Sequence, residues 1–219
     1  MRRLVDVVVS GVAGVVLSPV MAVVATLVRW RLGRPVLFRQ RRIGLGGRPF
    51  SIMKFRTMRD EAWPGEPDAD RDTSMGRALR GLSVDELPQL WNVLRGDMSI
   101  IGPRPTLPEQ VEHYSPRQHG RHEIRPGLTG WAQVNGRNSI SWPERIELDL
   151  WYIEHRSLWL DARIVVRTVL RLVRPSGIYG EGGVNQGFPV PGVVSPGVME
   201  RDASAAPTTT DETSRTPPK

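Results

Sequence analysis

From Val7 to Val28 the chain carries no charged side chain, and the dipeptide Ser18-Pro19 interrupts this run near its middle. At 1.5 Å per residue the run makes roughly 33 Å of helix, enough to cross a bilayer core. It is too long for the apolar region of a signal peptide, and no A-x-A cleavage site follows it. Two features oppose a straight span. Arg2 and Arg3 precede the run, and Arg29, Arg31 and Arg34 follow it. Positive charge at both ends favours keeping both on the cytoplasmic side. Pro19 also lacks an amide hydrogen, so the Val15 carbonyl loses its helical partner. Left unpaired in lipid, that carbonyl costs several kcal/mol. The Ser18 hydroxyl, a water or a bend toward the headgroups would relieve the cost. A re-entrant helix that enters and leaves one leaflet satisfies these facts, and so does a kinked span.

The rest of the 219 residues has room for one domain with appendages. Thirty basic residues face 23 acidic ones. Up to Arg59 there are twelve basic residues and a single acid, Asp6. Such a region attracts nucleic acid, lipid headgroups or phosphorylated small molecules. Lys54 is the only internal lysine in an arginine-rich chain. It is a compact point charge where arginine would present a planar fork; chance explains it equally well. The absence of cysteine excludes disulfides, a thiol nucleophile and thiolate zinc sites. His119 and His122 have the spacing of a metal pair but no evident third ligand, so they read as solvated surface histidines.

Alternation in PFSIMKFRTM predicts a strand bearing Lys54 and Arg56, after a turn at Gly44-Leu-Gly-Gly47. Arg59 to Thr73 reads as a surface loop, and Met75 to Arg80 as a short helix. Leu87, Leu90, Trp91 and Leu94 predict a buried helix face that stops at Gly96. Ser99 to Pro105 must be extended or turned, because two prolines forbid helix there. Arg125 to Arg137 reads as a glycine-rich loop able to turn backbone N–H groups toward a diphosphate. Ser141 caps a helix with Pro143 in its first turn; this helix carries Glu147 and Asp149 to about His155. Leu158 to Val173 is the last clear helix. Arg163, Arg167, Arg171 and Arg174 share one face, and the remainder is nearly all apolar. That pattern suits either the plane of a membrane surface or packing on the core with a solvated arginine face. From about Val184 onward the composition cannot bury a core, and the tail reads as disordered.

Ser83-Val-Asp-Glu86 matches a capping box, and acids favour the first helical turn. Pro88 disturbs this reading. With Ser83 as cap, Pro88 falls inside the helix and crowds the Val84 carbonyl. With Pro88 first in the helix, the cap is Leu87, which is poor, and Asp85 and Glu86 are free to point elsewhere. Either frame sets both acids near the positive end of a helix, which would keep Asp85 ionised. Arg80, Arg95, Arg104, Arg125 and Lys54 supply cations nearby. With Mg²⁺ and such cations a carboxylate can attack phosphorus, since the phosphoryl oxygens are neutralised. These features together point to phosphoryl transfer at a membrane surface.

The stretches KFRTM, SVDELPQLWNVLRGDMSIIGPRP, RPGLTGWAQVNGRNSISW and ELDLWYIEHRSLWLDARI closely resemble the bacterial sugar transferases of the polyprenyl-phosphate phosphoglycosyl transferase family. The likeness runs from about Arg2 to Gly183, and its length is that of the family's small monotopic members. It implies a mainly α fold with short β segments. A re-entrant membrane helix (1–28) broken at Ser18 and Pro19 would join a compact cytoplasmic catalytic domain (29–183) with amphipathic interfacial helices; a disordered tail (184–219) follows. It implies transfer of a phospho-sugar from a nucleoside diphosphate sugar, usually a UDP-sugar, to polyprenyl phosphate, with UMP released. Asp85 would be the nucleophile and form an aspartyl phospho-sugar. Glu86 would help hold Mg²⁺ with Asp85 or manage the site's charge. Lys54, Arg80, Arg104 and Asp149 sit at motif positions expected to line the phosphate site, and Arg56 and Arg125 join them as substrate-binding candidates. The expected place is the cytoplasmic face of the bacterial inner membrane. Membrane lipid and downstream glycosyltransferases would be partners, and nucleic acid would not. A membrane-anchored protein that binds nucleic acid or another anion without catalysis is the rival reading. It explains the charge but neither the acid pair nor GPRP.

Overall fold

The computed structural model describes residues 1–63, 66, 68–136 and 140–173. The expected tail 184–219, its boundary at 183, Arg137 and Arg174 lie outside the described residues. What is described is mainly helical, with two small two-stranded sheets.

Helix α1 (Arg2–Val16) and α2 (Ser18–Arg31) meet at a 61° bend. Among the described residues no single helix is long and apolar enough to cross a membrane; this bent pair passes that test jointly, by length and composition. Pro19 lies in the first turn of α2, where a missing amide hydrogen breaks no helical bond. Ser18 Oγ donates to the Val15 carbonyl at 2.7 Å, one of the three remedies expected from the sequence.

Strands β1 (Leu37–Ile43) and β2 (Pro49–Phe55) form an antiparallel hairpin that sets Phe38 opposite Lys54 and Arg42 opposite Phe50. Gly46 and Gly47, at φ 61° and 73°, make the expected turn between them. The stretch read as a loop from Arg59 to Thr73 contains the short helix α3 (Asp68–Arg71). Thr73 then caps α4 (Ser74–Gly81) by accepting from the Gly76 amide at 2.9 Å. A 3-10 turn at Val84–Glu86 leads to α5 (Gln89–Arg95), which ends on Gly96 at φ 94°. Strand β3 (Ser99–Ile101) and α6 (Pro108–Val111) follow. Next come β4 (Gly127–Thr129), α7 (Trp131–Asn135), α8 (Trp142–Glu154) and α9 (Leu158–Val173). The cap of α8 is the expected one: Ser141 and Glu144 close a capping box around Pro143.

Two expectations from the sequence give way here. The buried face of α5 is Gln89, Leu90, Asn92 and Val93, whereas Trp91 is 56% exposed. The cause is polar. Helix α5 lies along β2, and Asn92 satisfies its backbone, donating to the Ser51 carbonyl (2.8 Å) and accepting from the Met53 amide (3.2 Å). An apolar stripe could not do this. The stretch read as a glycine-rich loop holds β4 and α7, and β4 pairs in parallel with β3. Its glycines are used for close backbone packing: a Cβ on Gly127 or Gly130 would strike the main chain of Gly102.

Both ends of the bent pair are fastened to the same body. Arg2 Nε pairs with Asp161 of α9 at 2.9 Å, and the Tyr152 hydroxyl donates to the other Asp161 oxygen at 2.7 Å. Arg3 donates to the Val93 and Leu94 carbonyls at the C-terminal end of α5. Asp6, buried, accepts from the Ser99 hydroxyl and from the Ile100 amide, each at 2.9 Å. At the other end, Val24 and Val28 of α2 pack with Phe55 and Leu79. A second cluster, Ile124, Val134, Tyr152, Leu160 and Ile164, joins α8 to α9.

On α9, Arg167 and Arg171 turn toward the body, whereas Arg163 stays exposed. Arg167 donates to Asn135 Oδ1 at 2.7 Å, and Arg163 and Arg167 lie over the Trp131 ring. Leu158, Trp159, Val165, Val166, Val169 and Leu170 are exposed. The outward face is therefore largely apolar, and of the two alternatives the solvated arginine face holds for Arg163 but not for Arg167 and Arg171.

Candidate active site

Three segments meet around the acid pair. Strand β2 brings Lys54 on its last turn of the pleat, the 3-10 turn after α4 brings Asp85 and Glu86, and the loop after β3 brings Arg104. The capping box predicted for Ser83 and Glu86 is not formed. Ser83 adopts φ 57° and makes no side-chain cap bond. Glu86 turns to the cations instead: Lys54 Nζ and Arg104 Nη2 both reach Glu86 Oε1 at 2.6 Å, and Arg104 Nη1 reaches Oε2 at 3.4 Å. Two charge-assisted bonds outweigh one to a backbone amide. Pro88 stands immediately before α5, clear of the helix interior, so it crowds no carbonyl there.

This arrangement splits the two acids. Burial alone would raise Glu86, but Arg104 and Lys54 more than reverse that and hold it well below the usual carboxylate range. Asp85 is 5% exposed. Burial and then the Glu86 charge push it up to about 6, with Lys54, Arg104 and Arg80 offsetting only part. The raised value means that the helix end does not offset the burial, and Asp85 is mainly ionised only above about pH 6. Burial pushes Lys54 down, and Glu86 counters this.

The other candidates separate clearly. Arg80 stands at the edge of the site, held by Thr57 Oγ1 at 2.9 Å and by Asp72. Arg56 is not gathered there. It is buried against Asp60 (2.9 and 3.0 Å) and the Arg34 carbonyl (3.2 Å). Arg125 caps the end of α5 through the Gly96 carbonyl at 2.9 Å. Asp149 is 2% exposed and turned to Arg121, one layer behind the acid pair.

Residues that sequence reasoning passed over also stand here. Arg42 donates to Gln40 Oε1 at 2.6 Å and feels Arg104, Glu109 and Glu86; burial and then Arg104 push it down to about 10. Its signal was its place on a strand leading into the Lys54 hairpin. Arg121 is 4% exposed and had no such signal, lying between two histidines read as solvated. His119 is indeed exposed. His122 is buried, stacked on Tyr114 at 5.8 Å and pushed down to about 4 by burial and Arg121, so it is neutral.

Among the described residues no group of three or more His, Asp or Glu could hold a metal by itself. Mg²⁺ needs less: it keeps several waters and uses one or two carboxylates with substrate phosphates. The donor set fits that mode through one residue. No described group hydrogen-bonds the Asp85 carboxylate, whereas both Glu86 oxygens are engaged.

The model of the bacterial sugar transferase family matches residues 1–175. The chain is 51% identical over 155 residues to the uncharacterized sugar transferase EpsL of Bacillus subtilis, covering 69% of this chain and 77% of the relative. It is 44% identical over 191 residues to a UDP-glucose:undecaprenyl-phosphate glucose-1-phosphate transferase of Caulobacter vibrioides, covering 81% and 72%. It is 36% identical over 198 residues to the exopolysaccharide production protein ExoY of Rhizobium meliloti, covering 81% and 88%.

Proposed function

Because the chain belongs to the bacterial sugar transferase family, we propose that it moves a phospho-sugar from a UDP-sugar to a polyprenyl phosphate through an aspartyl intermediate. The observation that carries this reading is the split pair: Asp85 is buried with no hydrogen-bond partner among the described residues, beside a Glu86 pinned by Lys54 and Arg104. An unpartnered carboxylate is free to attack. An Asp85 oxygen forms a bond to the phosphorus bearing the sugar, the bond from that phosphorus to the bridging oxygen breaks, and UMP leaves with the electron pair. An oxygen of the polyprenyl phosphate then attacks the same phosphorus and releases the Asp85 carboxylate. Splitting the transfer in two is covalent catalysis with ping-pong kinetics. Arg104, Lys54 and Arg80 lie where they can offset phosphoryl charge. Mg²⁺, held by Asp85 with the substrate phosphates, would neutralise the diphosphate. The relatives' names support UDP-glucose as the first donor to try and undecaprenyl phosphate as the acceptor. The product would pass to glycosyltransferases that extend a surface polysaccharide.

The same reading places the protein on the cytoplasmic face of the bacterial cell membrane, with α1 and α2 re-entrant. Support comes from the docking of both ends on one body and from the outward apolar face of α9. From 15- and 14-residue helices bent by 61°, the apex stands only ~11 Å beyond the line joining their ends, about a third of a bilayer core.

The test uses labelled UDP-glucose without lipid acceptor. The expected result is one equivalent of UMP per enzyme and label retained on Asp85, both lost in Asp85→Asn and on chelation of Mg²⁺. Steady transfer to lipid with neither burst nor trapped label would establish direct displacement with Asp85 as base. Full transfer by Asp85→Asn would exclude both routes. The nucleic-acid reading explains neither the split acid pair nor the family match.

A further inference from the structure

Behind Arg104 lies a buried ion pair that touches none of the reacting groups. Asp149 of α8 and Arg121, on the 3-10 turn Gln118–His122, are 2% and 4% exposed. Arg121 Nε and Nη2 both reach Asp149 Oδ2, at 3.1 and 2.6 Å. The same Nη2 donates to the main-chain carbonyl of Arg104 at 3.1 Å. Nη1 donates to the Tyr114 hydroxyl, which in turn lies 3.3 Å from Thr106 Oγ1. One guanidinium therefore grips the Pro103-Arg104-Pro105 turn directly at Arg104 and, through Tyr114, at Thr106.

The turn needs such a grip. Pro103 and Pro105 offer no N–H, so the main chain on either side of Arg104 is held through its carbonyls. Arg104 itself is half-exposed, and its guanidinium is committed to Glu86. Its aim depends on where its main chain is fixed. A buried ion pair is a poor source of stability, because desolvation consumes much of the Coulombic gain. Its better-attested use is to specify one geometry.

We propose that Asp149 and Arg121 are positioning residues for Arg104: Asp149 orients the Arg121 guanidinium, Arg121 fixes the Arg104 carbonyl, and Arg104 thereby pins Glu86 beside Asp85. Asp149 thus acts through a relay two side chains long and does not itself meet phosphate. This inference rests on the transfer reading given above, and the experiment below separates the two.

The variants are Asp149→Asn, which keeps shape and removes charge, and Arg121→Lys, which keeps charge and removes the fork. Each is made alone and with Arg104→Ala. In otherwise wild-type protein, each lowers kcat for sugar-phosphate transfer roughly 10- to 100-fold, the scale of a lost supporting bond, with KM for the UDP-sugar changed less than about threefold. In the Arg104→Ala background the same changes cost less than about twofold, because the residue they act through is gone. A merely structural pair would reduce activity by the same factor in both backgrounds, and that result overturns the proposal. A second readout needs no turnover. The Arg104 guanidinium, followed by ¹⁵N NMR at fixed pH, gives dispersed Nη resonances in the wild type and averaged ones in Asp149→Asn, as in Glu86→Gln. Unchanged Arg104 resonances in a folded Asp149→Asn protein overturn the proposal even if activity falls. If the wild-type protein transfers no sugar phosphate while the Arg104 resonances still change, the functional reading fails and the relay stands.

Discussion

An ionised carboxylate at Asp85 sits where burial and a neighbouring negative charge both oppose it. Its pKa is raised from 3.8 to about 6, so the folded state binds the proton more tightly than the unfolded one. Stability therefore falls as pH rises from about 4 through 6, and above 6 the full penalty is present, up to about 3 kcal/mol. Asp85→Asn removes the penalty. In Mg²⁺-free buffer at pH 7.5 it should raise unfolding free energy by about 1–3 kcal/mol, a gain that vanishes below about pH 4. Denaturant melts across pH check this. The same group sets the acid limb of activity, since attack needs the ionised form. kcat/KM for the UDP-sugar should rise with pH to a plateau with its midpoint near 6, reporting the free enzyme. Glu86, Lys54, Arg104 and Arg80 face Asp85. Arg104→Ala removes an offsetting cation and leaves Glu86 less neutralised, so the midpoint moves up. A midpoint unmoved by Arg104→Ala would show that Arg104 does not act on Asp85. The acid pair was visible in the sequence as adjacent letters, but its division of labour was not. That depends on Lys54 and Arg104, brought in from 32 and 18 residues away.

At the scale of elements, the joints matter more than the helices. Asp6 is the only acid among the first 59 residues, and it faces a strand rather than solvent. Asp6→Ala leaves the half-buried Ile100 amide and Ser99 hydroxyl without their partner, each worth about 1–3 kcal/mol. The expected result is a loss of about 2–4 kcal/mol in unfolding free energy, with earlier proteolytic cleavage of α1; Asp6→Asn, which still accepts, loses less. Gly127→Ala is a second joint. Its Cβ would meet the Gly102 backbone, which cannot yield as a side chain can. Parting β3 from β4 displaces the Arg104 loop, and transfer should fall below one-hundredth with α8 and α9 still helical by circular dichroism. These joints mark the limit of reading elements from sequence. Local rules sufficed where an element is decided locally: the Ser141 capping box, the Gly96 stop, the Ser18 hydroxyl on the Val15 carbonyl. They failed where a distant partner decides. Trp91 fits an apolar stripe by spacing, yet Asn92 takes the inner face because β2 presents unpaired backbone. Glycines in RPGLTG read as a phosphate loop, yet they are required by another main chain, a contact with no local signature.

For the molecule as a whole, the question is what holds the N-terminal pair bent. Proline is the obvious answer, but magnitudes favour the docking. In a straightened helix Pro19→Ala would add one helical hydrogen bond, worth about 1 kcal/mol, and a continuous helix from Arg2 to Arg31 would be ~45 Å long. Straightening would pull one end from the body. That loses either the charge-assisted bonds of Asp6 and Arg3, about 1.5–3 kcal/mol each, or the burial of Val24 and Val28, about 1.5–3 kcal/mol each. Docking wins in either case, so Pro19→Ala should keep the bend. The chain has no cysteine, which makes the test clean. A cysteine appended ahead of Met1, and separately Arg34→Cys, should both react with an impermeant maleimide from the cytoplasmic side of membrane vesicles, whereas Val16→Cys near the apex is shielded from both sides. The same pattern should persist with Pro19→Ala. Adding Asp6→Ala to Pro19→Ala removes a main fastening, and only there should the first site begin to label from the far side. Opposite-side labelling in the unaltered chain would mean a true span. Opposite-side labelling in Pro19→Ala alone would mean that proline, rather than docking, sets the topology.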